Sequence, residues 1–218
     1  MKKILCVGYR DWALNIYDRL SKNYHDGEIY IIRCYDDYKD SFVEEFDPDY
    51  ILYYGWSWVI SREIIENYKC IMLHPSPLPK YRGGSPIQNQ IINNEKKSAV
   101  TLFQMNKDLD SGPIFAQQDF SLEGELSEIL NKVSTIGYEL TINLLLSDTA
   151  PIPQDENDAT VFSRLDPKKS EITLDEIKNK SSEYLYNKIR MLQDPYPKPF
   201  IMTSDGKKLF IFKSMLED

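Results

Sequence analysis

A histidine set among prolines and glycines is the first residue in this chain that could do chemistry. It is His74, in HPSPLPKYRGGSP (74–86); the other histidine, His25, lies in a polar NYHDG turn. An imidazole can take up or give up a proton near neutral pH. Downstream, QMNKDLDSGPIFAQQ (104–118) carries Asp108 and Asp110 in a loop, and Gly112-Pro113 turns the chain into the next segment. A carboxylate beside a histidine orients the ring and favours its charged form, which suits proton transfer. Taken alone, one histidine is ordinarily structural and two acids in a turn are ordinarily solvated. What singles out this pair is where the chain would have to place them.

Alternating elements provide the placement. KKILCVGYR reads as a short buried strand ending in a glycine turn. In DWALNIYDRLSKNY, apolar residues at Trp12, Ala13, Ile16 and Leu20 have helical spacing, with Asp11 as the N-cap. EIYIIRCY and DYILYYGW read as the second and third strands, with a short helix at 40–47 between them. SREIIENY supplies a turn or two of helix, and the fourth strand, KCIMLH, ends on His74. SPIQNQIINN is a helix with Pro86 near its start, where a missing N–H costs little. SAVTLFQM and PIFAQQDF follow as strands, then the long amphipathic helix LSEILNKVSTIGYELTINLLL.

This order predicts an α/β fold: a mostly parallel, twisted, Rossmann-like sheet with helices on both faces. Such sheets bind ligands beyond the carboxyl ends of their strands, where Gly8 and His74 fall. Strand alternation turns Met72 and His74 to the same face. Pro75, Pro77 and Pro79 are expected to hold the chain extended after His74. Gly83 and Gly84 permit unusual dihedrals or the close approach of a ligand.

TAPIPQDENDAT (149–160) reads as a linker, dividing a main domain (1–150) from a small C-terminal subdomain (151–218). The latter holds one helix, DEIKNKSSEYLYNKIRMLQ, and a closing β-hairpin turned at Asp205-Gly206. This tail is too short for a core of its own, so it is expected to pack on the main domain or on a second copy, as in a homodimer.

Net charge is −8, so long-range electrostatics do not help the chain hold a polyphosphate backbone, and no nucleic acid partner is expected. A local basic group could still bind one small anion. Cys6, Cys34 and Cys70 are scattered and unpaired in pattern; they read as small buried hydrophobes, with no metal site and no disulfide. No stretch is long enough to span a membrane, and the apolar run in MKKILCVG is too short for a signal peptide. A cytoplasmic protein is expected. VGYRDWA has one glycine where a dinucleotide fingerprint needs three, although Arg10 at that strand end could meet a phosphate.

Together the two phrases resemble the formyltransferases that use 10-formyltetrahydrofolate. This superfamily includes methionyl-tRNA formyltransferase, glycinamide ribonucleotide transformylase and the sugar-nucleotide N-formyltransferases. Its signatures are Asn-x-His running into Pro-Ser-x-Leu-Pro and Arg-Gly, then Leu-Asp-x-Gly-Pro-Ile. The chain has His74, Pro75-Ser76, Leu78-Pro79 and Arg82-Gly83, then Leu109-Asp110-Ser111-Gly112-Pro113-Ile114. The likeness covers residues 1–146 and continues through FSRLDPKKSEI and DPYPKPF.

The resemblance implies that an amine attacks the formyl carbon of the folate, with no metal involved. His74 and Asp110 would be the catalytic pair. Val59 and Ile60 in WSWVIS would wall the folate ring, with Met105, Asp108 and Leu109 closing the other side. Arg10, Ser76, Lys80, Tyr81, Arg82 and Gly83 would meet the acceptor. One departure stands out. The family asparagine that donates to the developing oxyanion is Met72 here, and a thioether donates no hydrogen bond. Loss of such a donor costs on the order of a hundredfold in rate, about 3 kcal/mol. Ser76, Gln104, Asn106, protonated His74 or a water are the candidate replacements; otherwise the chain is a noncatalytic folate or sugar-nucleotide binding module.

Among the acceptors of the superfamily, tRNA fits less well. Residues 35–49 hold seven acids and one lysine where the tRNA enzyme carries a basic loop, and the chain stops where that enzyme would continue into a barrel domain. The short hairpin tail resembles the sugar-nucleotide N-formyltransferases. The expected acceptor is therefore a small molecule, a nucleotide-linked amino sugar destined for a surface polysaccharide such as lipopolysaccharide. A methionyl-tRNA formyltransferase-like activity is the alternative.

Overall fold

β1 (Lys2–Val7) is buried over its last four residues, and β3 (Tyr50–Tyr54) and β4 (Cys70–His74) are buried almost throughout. Strands covered on both faces read this way, as near-continuous apolar runs. β2 (Gly27–Ile32) alternates and takes the edge. These are features of a computed structural model that describes residues 1–147 and 149–217. The four strands pair in parallel in the order β2-β1-β3-β4. After a two-residue β5 (Arg82–Gly83), β6 (Lys97–Gln104) and β7 (Ile114–Ser121) extend the sheet antiparallel. The predicted α/β fold with a mostly parallel sheet is the observed one.

Helices cover both faces. α1 (Asp11–Asn23) buries Ala13, Ile16, Tyr17 and Leu20, one stripe at helical spacing. Its N-cap is Arg10, with no side-chain bond; Asp11 sits in the first turn, where its charge faces the positive end of the helix. α2 (Asp40–Phe46) and α3 (Arg62–Asn67) cover the opposite face through Val43 and Ile64. α4 (Pro86–Ile92) and the long α5 (Leu126–Leu146) return to the side of α1.

The predicted linker is a strap laid across the main body. Ile152 bridges antiparallel to Ile114, and β8 (Val161–Phe162) pairs in parallel with β5. Beyond it the single predicted helix is two, α6 (Leu174–Asn179) and α7 (Ser182–Met191). Thr173 and Ser181 each accept a backbone N–H of the helix that follows, so Ser181 starts a new helix instead of continuing the old one. α7 packs on α4, and the buried Arg190 donates to the carbonyls of Leu122 and Gly124. β9 (Phe200–Met202) and β10 (Lys208–Phe210) form the terminal hairpin.

Cys6 and Cys70 are buried, and burial pushes the Cys70 thiol up to about 12 and that of Cys6 higher still. Cys34 departs from the expectation: it is exposed, and its thiol donates to the Asp37 carboxylate at 3.0 Å. Among the described residues no helix is long and apolar enough to cross a membrane.

Candidate active site

His74 is the last residue of β4, and the proline-rich loop after it folds back instead of running extended. The amide of Ser76 bonds to the His74 carbonyl and that of Leu78 to the Ser76 carbonyl, two successive three-residue turns centred on Pro75 and Pro77. Such turns need a central φ near −75°, close to the value a proline ring imposes. The loop thereby returns the Tyr81 carbonyl to the ring, where His74 Nε2 lies 2.8 Å from it. A carbonyl only accepts, so Nε2 carries a proton, and in the neutral ring Nδ1 holds the lone pair.

Nδ1 faces Asp110. The distance to Oδ2 is 3.6 Å, and both side chains are more than nine-tenths buried. The same Oδ2 accepts from the backbone amide of Gly83 at 2.8 Å. Asp110 itself has φ of +48°, and Gln154 of the strap donates to its carbonyl and to that of Gly112. The two distant loops therefore meet: an imidazole with one nitrogen fixed, and a carboxylate against the other. Nδ1 can accept a proton, and the imidazolium that results lies beside a negative charge.

A cleft of about 710 Å³ opens here, over the carboxyl ends of β1, β3 and β4. This is where the strand order reverses between β1 and β3, the usual ligand position in such sheets. Its walls belong to different cores. Trp56, Ile60, Met72 and Met105 pack with one face of the sheet; Trp12, Ile87, Leu165 and Tyr196 pack with the other. Among the described residues no cluster of three or more His, Cys, Asp or Glu could hold a metal ion.

Of the residues expected to bind ligands, Arg10, Val59, Ile60, Met105, Asp108, Leu109 and Gly83 line this cleft, as do His74 and Asp110. Val59 and Leu109 are exposed at the mouth, so the apolar wall is made instead by Trp56, Ile60 and Met105. Ser76, Lys80, Tyr81 and Arg82 lie outside it. The Ser76 hydroxyl is fully buried and donates to the Lys80 carbonyl, and Lys80 is exposed. Tyr81 stacks on Phe162 at 4.7 Å and donates to Glu95. Arg82 is 5% exposed, and its guanidinium donates to Gln154 Oε1 and to both oxygens of Glu156. That bonding to Arg82 holds the Glu156 carboxyl below its usual range. The Lys-Tyr-Arg-Gly run serves the site through its backbone, and Arg82 through the strap.

Sequence reasoning passed over several cleft residues. Trp56 and Trp58, in the loop after β3, form an aromatic cluster with Tyr9 and Tyr35, the Trp58 ring lying 4.7 Å from that of Tyr35 and 4.9 Å from that of Tyr9. The GWSW run was the visible signal. Arg164 donates to Ser57, and Arg10 stacks on Tyr9 and Tyr196; neither forms an ion pair among the described residues. Gln88, one position into the helix beyond Ile87, is also in the lining.

Met72 stands in the apolar wall. Of the replacement donors considered, Ser76 is engaged with Lys80 and Gln104 lies outside the cleft, while Asn106 lines it, its Oδ1 accepting from Asp108 and Ser111 and its Nδ2 left to donate. Trp56 Nε1 and the Gln88 amide are the buried side-chain donors of the cleft that lack a partner among the described residues.

A buried histidine and aspartate over the strand ends of an α/β sheet define a site that can exchange a proton with a ligand in the cleft, and comparison with known proteins narrows the class. Residues 33–143 match the family described as Formyl transferase. A methionyl-tRNA formyltransferase of Campylobacter lari is 35% identical over 164 residues, covering 74% of this chain and 52% of that protein. The chain spans about half the length of the curated relatives it matches. The solved methionyl-tRNA formyltransferase from Clostridium thermocellum is 31% identical with a TM-score of 0.86, and 97% of each chain is covered. A 4-N formyltransferase from Francisella tularensis shares the fold at 20% identity, with a TM-score of 0.77 over 100% of this chain and 98% of that one. The chain belongs to the formyl transferase family.

Proposed function

We propose that this chain moves a formyl group from 10-formyltetrahydrofolate to the amine of a nucleotide-linked amino sugar. The observation that carries the reading is the His74–Asp110 pair, 3.6 Å apart, set where two unlike walls of one cleft meet. The wall of Trp56, Ile60, Met72 and Met105 suits a flat, largely apolar ring, and Trp56 Nε1, which has no partner among the described residues, offers it a donor. Arg10 and Arg164, without carboxylate partners among the described residues, suit a diphosphate, and the Tyr9–Trp58–Tyr35 cluster suits a base. In the reaction the amine nitrogen bonds to the formyl carbon and the bond from that carbon to folate N10 breaks. The amine gives up a proton and N10 gains one; His74 Nδ1 is placed to carry it, with Asp110 stabilising the charged ring.

Transfer to methionyl-tRNA is the second reading, and the curated relatives that bear that name support it. The length of the chain does not separate the two readings, because a solved methionyl-tRNA formyltransferase chain is matched almost end to end. The seven acids of residues 35–49 weigh against a polyanion: their stretch contains Tyr35, which stacks on Trp58 at the cleft mouth. A second copy would pair through the hairpin face, where Leu209, Phe210 and Phe212 are exposed; light scattering reads that association.

The deciding experiment incubates the protein and 10-formyltetrahydrofolate with nucleotide-linked 3-amino and 4-amino deoxyhexoses, and separately with methionyl-tRNA. Tetrahydrofolate release and product mass are followed. Turnover of a sugar nucleotide is the expected result. Turnover of methionyl-tRNA alone replaces the acceptor, and binding without turnover of any amine makes the chain a noncatalytic module.

A further inference from the structure

Gln88 has the clearest unmet chemistry in the molecule. It is 1% exposed, lines the cleft, and neither its Nε2 nor its Oε1 has a hydrogen-bond partner among the described residues. A buried amide left wholly unpaired destabilises a fold, and most buried polar groups avoid it. Its neighbours show the contrast. Asn89 donates to the carbonyls of Gly84 and Ser163, and Gln90 donates to those of Pro75 and Pro86. Those two amides lock the loop that follows His74. Gln88 locks nothing, and it is the one of the three that lines the cleft.

The wall on which it stands narrows the ligand. Ile87, the residue before it, packs in the core of α1 and α5, together with Trp12, Leu165 and Tyr196. That is the wall on the other face of the sheet from Trp56 and Met72, and Arg10 and Arg164 line the same cleft. An unpaired carboxamide offers one acceptor and a pair of donor hydrogens side by side. It therefore complements a ligand that presents a donor next to an acceptor, such as an amine with a hydroxyl on the adjacent carbon. A formyl oxygen, which only accepts, would leave Oε1 unpaired and matches the lone Nε1–H of Trp56 better.

We infer that Gln88 is the specificity residue for the acceptor: its Oε1 takes a hydrogen bond from the attacking amine, and its Nε2 donates to the neighbouring hydroxyl. The inference rests on the formyl-transfer reading and adds the residue that chooses the amine. Oε1 holds one amine hydrogen and so turns the lone pair toward the formyl carbon. The second amine hydrogen is the one lost as the carbon–nitrogen bond forms. An acceptor lacking the adjacent hydroxyl would leave Nε2 unpaired, and a site built to bond a hydroxyl discriminates strongly against its absence.

The test compares wild type, Gln88→Leu and Gln88→Met on the sugar nucleotide that the wild type turns over; wild-type turnover of methionyl-tRNA alone, whose amine has no adjacent hydroxyl, overturns the inference and leaves formyl transfer intact. Each variant is also measured for 10-formyltetrahydrofolate KM and for thermal unfolding. The expected result is a fall in kcat/KM for the acceptor of about 10- to 100-fold, the size of one or two lost hydrogen bonds to a polar ligand. The folate KM stays unchanged, and the melting temperature is equal or higher because an unpaired amide has left the interior. Unchanged acceptor kcat/KM in both variants overturns the inference while leaving formyl transfer intact. A lower melting temperature with both KM values raised also overturns it, because that is the mark of a structural amide. Wild-type inactivity on every amine overturns the functional reading and this inference with it.

Discussion

Replacing Arg82 by leucine separates two roles that the sequence could not tell apart. A substrate arginine would meet a phosphate; in the structure Arg82 faces the strap. Leucine keeps an apolar stem at a site that is 5% exposed and removes the guanidinium. Glu156 has a side chain that is 67% exposed and returns to water at little cost. Gln154 Oε1 loses both of its donors, at 3.1 and 2.7 Å. Two hydrogen bonds from a charged donor, at about 1.5 kcal/mol each, set the expected loss at ~3 kcal/mol. For a domain of this size that lowers the melting temperature by roughly 6–12 °C.

The kinetic effect follows from the next contact along. Gln154 Nε2 holds the carbonyls of Asp110 and Gly112 at 2.9 and 2.7 Å, so a loosened Gln154 frees the loop that aims the carboxylate at His74. A misplacement of about 1 Å can cost on the order of 100-fold in rate, so kcat should fall between ten- and a hundredfold while the acceptor KM stays near its starting value. Arg82→Lys keeps the charge but loses the planar fork, and should lie between the two. Thermal unfolding and steady-state kinetics on the same preparations check this. A variant as stable as wild type, with a raised KM for the acceptor amine, would refute the clamp and return Arg82 to the substrate.

Three further outcomes are expected. His74→Ala and Asp110→Asn should each lower kcat by roughly 10²- to 10⁴-fold, the range of general acid–base catalysis, with folate binding retained in a fluorescence titration; a mild effect removes the pair from the chemistry. Met72→Asn restores an amide donor in the cleft and should raise kcat by about tenfold or more; no change means that another donor, Trp56 foremost, already serves the formyl oxygen. Bonding to Arg82 keeps the Glu156 carboxyl below its usual range, so the unfolded chain takes up that proton first as pH falls. The pair's contribution to stability is therefore complete above the ordinary glutamate range and lost on acidifying through the folded-state value; Glu156→Gln should flatten that part of the acid unfolding profile.

The sheet was legible because its strands are written in the side chains. β3 is buried at all five residues and β1 at four of six, and α1 shows its stripe at Ala13, Ile16, Tyr17 and Leu20. The convergence of His74 and Asp110 was expected from the family resemblance that the two motif phrases carry together, and from neither phrase alone. The course of the chain after His74 was not, because three prolines fit an extended segment and a pair of tight turns alike; the hydrogen bonds from Ser76 and Leu78 decide for turns. Residues 149–160 look like a linker because they are polar and hold two prolines. Their polarity is used in pairing: Gln154 and Glu156 are the partners of Arg82, and no local pattern announces a bond across more than seventy residues.

The same strap explains the paired glycines better than a ligand does. Gly83 has φ of +98°, and a Cβ built there would lie 2.2 Å from the Phe162 carbonyl oxygen; one on Gly84 would lie 2.5 Å from the Arg164 backbone. Side chains at either position would push β8 off β5. Gly83 is also the residue whose amide holds Asp110 Oδ2, and Tyr81, two residues earlier, supplies the carbonyl that fixes His74 Nε2. The loop thus serves two masters through one backbone: its inner side sets the tautomer of the histidine and the aim of the carboxylate, and its outer side seats the strap. A change that loosens the strap should therefore reach His74 and Asp110 without touching either residue, because the hydrogen bonds that hold the strap continue, through Arg82, Gln154 and Gly83, into those that hold the site.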